Sequence, residues 1–113
     1  MEIRKSEEQG TPILQIEGEI DLHASPTLRA GLHEFVEART PVLLIDFTAV
    51  AYIDSSGLAT LIEYVRDSKA FGGKFALFGL QPKVKMVFEL VRLNELFTIA
   101  ESKEAALAAV AAA

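Results

Sequence analysis

The sequence contains no cysteine among its 113 residues. A disulfide framework, a zinc–thiolate site and a thiol nucleophile are therefore excluded, and the lack of cysteine fits a cytoplasmic protein. Positive charge is also scarce, because 11 Lys and Arg stand against 16 Asp and Glu, for a formal net charge of −5. This balance disfavours nucleic acids and anionic membrane surfaces as partners, since both attract basic patches.

Long apolar runs are missing as well. No stretch approaches the ~20 apolar residues that span a bilayer, and residues 1–5 are charged where a signal peptide would be apolar. We therefore expect no membrane insertion. Half of the residues are nevertheless apolar, so a core can form without metal or disulfide support, and the length predicts one domain over residues 1–113.

Strand-like and helix-like apolar patterns alternate along the chain. Strands are predicted at residues 2–6, 12–18, 42–45, 74–78 and 96–99. Helices are predicted to begin at Ser25-Pro26 with Ser25 as the cap, at Ser55 or Ser56, at Pro82 and after Ser102, and the second helix is predicted to end at Gly72-Gly73. The alternation predicts an α/β fold, with a mixed and mostly parallel sheet of four to six strands and about four helices.

The most informative segment is residues 52–58, where a buried strand and a polar link lead into a helical pattern. The junction carries Asp54, Ser55, Ser56 and Gly57. It places two serine hydroxyls at the positive end of a helix, where backbone N–H groups lack partners. A phosphate would be accommodated there, which favours a serine switch over an active site. The plain alternative is a helix N-cap.

Three segments resemble the STAS domain of bacterial anti-sigma factor antagonists, and the resemblance covers roughly residues 13–110. They are residues 18–22, residues 44–58 and residues 79–97. The resemblance implies a STAS fold and makes Ser55, directly after Asp54, the phosphoacceptor. It also implies that the unphosphorylated form binds an anti-sigma factor that is a serine kinase and so frees the sigma factor. Phosphorylation then ends binding, and a serine phosphatase acts transiently to reset the protein.

Two groups of residues, one within residues 21–25 and one within residues 54–57, are predicted to form the partner-binding surface around Ser55. By the family topology, the loop after the second strand lies near this helix start. Ser56 is expected to cap the helix, Asp54 to orient the Ser55 hydroxyl or to shape partner recognition, and Gly57 to leave room for an approaching kinase. The predicted partner-binding residues are Asp21, Leu22, His23, Ser25, Asp54, Ser56 and Gly57.

Other functions have weaker support in the sequence. Ser55 lies outside a G-x-S-x-G elbow, and no phosphate-binding glycine loop is present, so an enzyme is not expected. His23 and His33 are ten residues apart without a carboxylate cluster and make a poor metal site. We expect no cofactor, no metal and a monomer. A stand-alone STAS subunit of a stressosome-type or membrane-transporter assembly remains the alternative.

Overall fold

A computed structural model describes residues 1–111; the predicted domain also includes residues 112 and 113, which lie outside this range. Within it, a five-stranded sheet in the order β1-β2-β3-β4-β5 combines with four α-helices. The strands are β1 (Glu2–Glu8), β2 (Thr11–Ile20), β3 (Val42–Ile53), β4 (Lys74–Phe78) and β5 (Ile99–Ala100). The helices are α1 (Ser25–Glu37), α2 (Ser55–Lys69), α3 (Pro82–Leu90) and α4 (Lys103–Ala111), and a short 3₁₀ turn spans Leu93–Glu95.

The sheet is mostly parallel because a helix separates each pair of parallel strands. Only β1 runs antiparallel to its neighbour, which confirms the predicted mixed sheet. Each of the three crossovers moves one strand in the same direction, so right-handed connections place α1, α2 and α3 on one face. The main core lies under these helices, and a smaller one lies under α4. The sequence pattern, in which strands and helices alternate, thus accounts for the architecture.

The length of β3 positions the functional region. β4 pairs only with the first part of β3, residues 42–46, whereas β2 stays beside β3 up to the pair Ile20 and Ile53. The prediction of a polar link directly after residue 45 is therefore wrong, because the strand continues for eight more residues. Irregular pairing in this part, with Asp46 accepting a hydrogen bond from the Thr48 N–H (2.8 Å), lets polar side chains point outward. The loops after β2 and β3 consequently lie side by side.

Several predicted helix ends differ from the structure. α1 does begin at Ser25, but the N-cap is Ala24, which offers no side-chain cap. Instead, the Asp21 carboxylate accepts a hydrogen bond from the Ala24 N–H (3.0 Å). α2 ends at Lys69, before the glycines, but Gly72 has the left-handed backbone expected of a glycine that terminates a helix (φ 72°). The Gly73 N–H also donates to a carbonyl of the last turn, at Ser68 (2.9 Å). The predicted Ser102 cap is confirmed by the Ala105 N–H, which donates to its hydroxyl (3.1 Å).

Two apolar residues whose helical spacing continues the buried stripes of α2 and α3 lie at the surface. Ile62 of α2 and Val91, just after α3, are exposed. The last strand is also shorter and later than predicted, since residues 96–98 precede it in a turn and a loop. Within residues 1–111, the helices are all too short or too polar to cross a membrane.

Candidate functional site

Asp54 fixes the start of α2. Its backbone is extended, and its Oδ1 atom accepts hydrogen bonds from the N–H groups of Ser56 (3.0 Å) and Gly57 (3.2 Å). The Asp54 N–H donates to the carbonyl of Ile20 at the end of β2 (3.1 Å). Asp54 is thus the N-cap, and the prediction that Ser56 caps the helix is wrong. This residue ties the helix start to the neighbouring strand.

The two serines at the helix start differ in accessibility. The Ser56 hydroxyl is half-buried and donates to Asp54 Oδ1 at 2.6 Å. Ser55 is exposed, and within the described part of the chain its hydroxyl has no hydrogen-bond partner. The expectation that Asp54 orients the Ser55 hydroxyl is therefore wrong, because the carboxylate accepts the Ser56 hydroxyl instead. A transferase could therefore reach the oxygen of Ser55, whereas the oxygen of Ser56 is engaged. This geometry distinguishes the two adjacent hydroxyls, which the sequence alone does not.

The Asp54 carboxylate is negatively charged beside these serines. The hydrogen bond from the Ser56 hydroxyl is the main cause that lowers the pKa of Asp54, and the backbone N–H groups of Gly57, Ser56 and Leu22 lower it further, against a smaller opposing effect of burial. Two N–H groups at the helix start are already bonded to this carboxylate. The expectation of a set of free N–H groups is therefore corrected, and a phosphate on Ser55 would instead face a negative charge.

The loop after β2 is linked to the start of α2 through Ser25, which confirms their predicted proximity. Ser25 Oγ lies 2.8 Å from the Asp21 carbonyl oxygen and 2.9 Å from Ser56 Oγ. Its single proton can be donated to either atom. Ser25 is buried, so it supports the loop from beneath and does not itself present a contact surface.

Gly57 is also buried, and the structure gives it a packing role. A Cβ atom at this position would lie 2.6 Å from Ile20 Cγ2, 2.8 Å from Ile53 Cγ1 and 3.0 Å from the Ile20 carbonyl oxygen. The space that this glycine leaves is therefore inside the protein, where α2 meets the ends of β2 and β3. The expectation that Gly57 leaves room for an approaching kinase is corrected accordingly.

Three exposed apolar side chains lie on the three elements that meet at the start of α2. Leu22 and Tyr52 are exposed on the loop after β2 and near the end of β3, and Ile62 is exposed two turns along α2. Ser55 and Ile62 share one helix side because they are seven residues apart. Neither Tyr52 nor Ile62 was predicted from the sequence to belong to the site. The strand periodicity would have indicated Tyr52, since it immediately precedes the buried Ile53.

A polar bridge holds α1 against the first turns of α2. Arg29 of α1 donates from Nη2 to Thr60 Oγ1 (3.4 Å) and lies 3.3 Å from a carboxylate oxygen of Glu63. Thr60 in turn donates its hydroxyl proton to the carbonyl of Ser56 (2.9 Å). The helix that carries Ser55 is therefore positioned by α1 as well as by the sheet. Among residues 1–111, no three His, Asp or Glu side chains gather in a way that could bind a metal ion.

The fold and this helix start define a class of protein. The sequence pattern of the STAS domain family matches residues 2–106, and the chain belongs to this family. The anti-sigma-B factor antagonist of Listeria monocytogenes is 30% identical over 84 residues, which cover 74% of both chains. The protein of the same name from Bacillus subtilis is 30% identical over 91 residues, or 80% of this chain and 83% of that one.

A solved structure shows the same fold. The crystal structure of an anti-sigma factor antagonist from Mycobacterium paratuberculosis superimposes with a TM-score of 0.88 at 25% identity, covering 97% of this chain and 93% of that one. The predicted α/β STAS fold is thereby confirmed.

Proposed function

We propose that this protein is an anti-sigma factor antagonist that is switched by phosphorylation of Ser55. The unphosphorylated form binds an anti-sigma factor that is also a serine kinase, and this binding releases the sigma factor. Phosphate on Ser55 dissociates the complex, and a serine phosphatase restores the binding form. The observation that carries the proposal is the exposed, unengaged hydroxyl of Ser55 next to the Asp54 carboxylate. The protein acts by association and is not an enzyme.

The docking surface of this proposal consists of Leu22, Tyr52, Ile62 and the surroundings of Ser55. The three apolar side chains are exposed and supply the apolar centre that protein interfaces require. Asp21 and the exposed His23 lie at its polar edge. Ser25, Ser56 and Gly57 contribute from beneath, by holding the loop and the helix start in place.

The effect of phosphorylation follows from the charge at the helix start. A serine phosphate adds about −1.5 to −2 charges at neutral pH. The positive end of α2 favours such a charge, but Asp54 already accepts the N–H groups of Ser56 and Gly57. A docked partner would therefore meet two adjacent anions in place of a neutral hydroxyl. An unpaired charge that is buried in an interface loses its hydration without compensation, so we expect an affinity loss of about 100-fold or more.

The test uses the two serines as a matched pair. The protein is incubated with the anti-sigma kinase of its own organism and ATP, and the modified residue is identified by mass spectrometry. We expect the wild type and Ser56→Ala to gain phosphate at Ser55, whereas Ser55→Ala gains none. Ser55→Ala should retain binding to the kinase, and the phosphorylated wild type should lose it.

Two results would contradict the proposal. One is modification at Ser56 or at neither serine. The other is full affinity of the phosphorylated protein for the kinase. Stable copurification with a membrane permease, without phosphate on Ser55, would instead support the transporter-subunit alternative.

A further inference from the structure

Helix α3 is apolar on its inner and on its outer side. Val84 and Phe88 face the core and are fully buried. On the opposite side, Met86 is 56% exposed and Leu90 is 75% exposed, one turn apart. A surface helix of a globular protein normally places polar residues on its outer side. The outer stripe of α3 is therefore unexplained by the packing of a single chain.

The apolar surface continues beyond the end of the helix. Val91 and Leu96 are also exposed, so four of the seven large exposed apolar side chains in the described chain fall within residues 86–96. Such a concentration on one helix and its following turn is typical of an interaction surface. We call these four residues the α3 patch. The other three, Leu22, Tyr52 and Ile62, belong to the docking surface around Ser55.

The charges beside the α3 patch are arranged so that the surface is complementary to itself. Lys85 and Glu89 are exposed on one flank of the stripe, one turn apart, and among residues 1–111 neither forms an ion pair. In an antiparallel pair of identical helices, Lys85 of each copy lies close to Glu89 of the other. A two-fold axis makes this contact twice, as in isologous dimers.

The overall charge also favours this surface for self-association. The chain has a formal net charge of −5, so two copies repel each other overall. Residues 82–96 differ, because they carry the three cations Lys83, Lys85 and Arg92 against two carboxylates. The electrostatic repulsion between two copies is therefore weaker when they meet through this segment than when they meet through the rest of the chain.

We propose that the α3 patch is the contact of a two-fold symmetric homodimer in which the two α3 helices are antiparallel. The contact consists of one short helix and a turn from each copy, which lies at the small end of specific interfaces. The dimer is therefore weak and reversible, and it forms at micromolar or higher concentration. This inference replaces the expectation of a monomer and does not depend on phosphorylation of Ser55.

Sedimentation equilibrium over about 10 to 500 µM protein tests the apolar part of the contact. The wild type should show concentration-dependent dimers. Leu90→Asp should raise the dissociation constant at least about tenfold. Leu22→Asp is the matched control, since Leu22 is 71% exposed on the loop after β2, outside α3 and the turn that follows it, and it should dimerise like the wild type. A wild type that stays monomeric throughout, or a dimer that Leu90→Asp leaves intact, would overturn the proposal.

Charge reversal tests the antiparallel arrangement. Lys85→Glu and Glu89→Lys each place like charges opposite one another and should weaken the dimer about threefold to tenfold. The double variant restores both contacts with the signs exchanged and should regain most of the wild-type affinity. If it dimerises as poorly as the single variants, the antiparallel contact is wrong. Thermal unfolding of each variant shows whether its fold is retained.

Discussion

Replacing Gly57 by alanine should destabilise the protein, although the same change usually stabilises a helix. Alanine in place of glycine inside a helix contributes up to about 1 kcal/mol. The new Cβ atom would lie 2.6 Å from Ile20 Cγ2 and 2.8 Å from Ile53 Cγ1, well inside the roughly 3.5–4.0 Å of a favourable carbon contact. The Ile20 methyl group and the Ile53 methylene group are each bonded to a branched Cβ, so their rotation is restricted. Overpacking of this kind costs about 1–3 kcal/mol, so after the helix gain we expect a net loss of up to about 2 kcal/mol.

Gly31→Ala in α1 is the matched control. Its Cβ atom would also come close to a neighbour, at 2.5 Å from Ile3 Cδ1, but this atom is the free end of a partly exposed side chain that can rotate. The helix propensity gain should therefore prevail, with a stabilisation of up to about 1 kcal/mol. Urea unfolding of the two variants and the wild type measures both values.

The outcome that would refute this reasoning is a Gly57→Ala variant as stable as the Gly31→Ala variant. It would mean that Ile20 and Ile53 can move apart without cost. A second consequence can be checked on the same sample. The Ile20 carbonyl accepts the Asp54 N–H (3.1 Å), so a displaced Ile20 should alter the NMR resonances of the Asp54 and Ser55 amides.

Three further predictions concern titration and packing. Ser56→Ala should raise the pKa of Asp54 towards its ordinary value, because the Ser56 hydroxyl is the main cause that lowers it; carboxyl-detected NMR titration measures this. The ionised Asp54 carboxylate contributes stability that is fully present above pH 3.8 and is lost as the pH falls through the lower pKa that Asp54 has in the folded protein. Ser56→Ala should therefore make the free energy of unfolding depend less on pH in this acid range. Burial raises the pKa of Tyr64 to about 12, so stability should fall as the pH rises from 10 through about 12, and Tyr64→Phe should flatten this fall in alkaline unfolding curves. Phe88→Ala, which removes a fully buried ring in edge contact with Phe47, should cost about 3–5 kcal/mol in urea unfolding.

Each of these has a clear negative result. An Asp54 pKa that Ser56→Ala leaves unchanged would assign the shift to the backbone N–H groups alone. An alkaline stability curve that is the same for Tyr64→Phe as for the wild type would remove Tyr64 as its cause. A loss below about 1 kcal/mol for Phe88→Ala would show that α3 can close over the vacated space.

The order of strands and helices was predictable because it depends on local patterns. The apolar run of residues 42–45 and the helical spacing after it occur within short windows of sequence. The full length of β3 was not predictable in this way. Asp46 and Thr48 read as a polar link, yet Asp46 accepts the Thr48 N–H within an irregular strand. Only the pairing of β3 with β2, two segments far apart in the sequence, reveals that the strand continues to Ile53.

The position of the site was predictable, but its hydrogen bonds were not. Asp54, Ser55 and Ser56 are all good N-cap residues and follow one another, so propensity does not choose among them. Which of the three residues becomes the N-cap depends on the Ile20 carbonyl. This carbonyl accepts a hydrogen bond from the Asp54 N–H, and the Asp54 carboxylate is then positioned to accept the N–H groups at the helix start. Ser55 then becomes the first helical residue, with its side chain in solvent. The accessible serine is thus selected by the end of β2, which lies more than thirty residues earlier.

Helical periodicity indicates the direction of an apolar stripe but not how much of it a neighbour covers. On α2, Leu61 is buried whereas Ile62, the next residue, is exposed. On α3, Val84 and Phe88 are buried in the main core, where Phe88 contacts Phe47, just beyond the part of β3 that pairs with β4. This burial sets the rotation of the helix. Met86 and Leu90 are then directed outward by the same 3.6-residue repeat. Because the chain has no further described element over them, their burial requires a second molecule, and the self-complementary charges of Lys85 and Glu89 favour another copy of this chain.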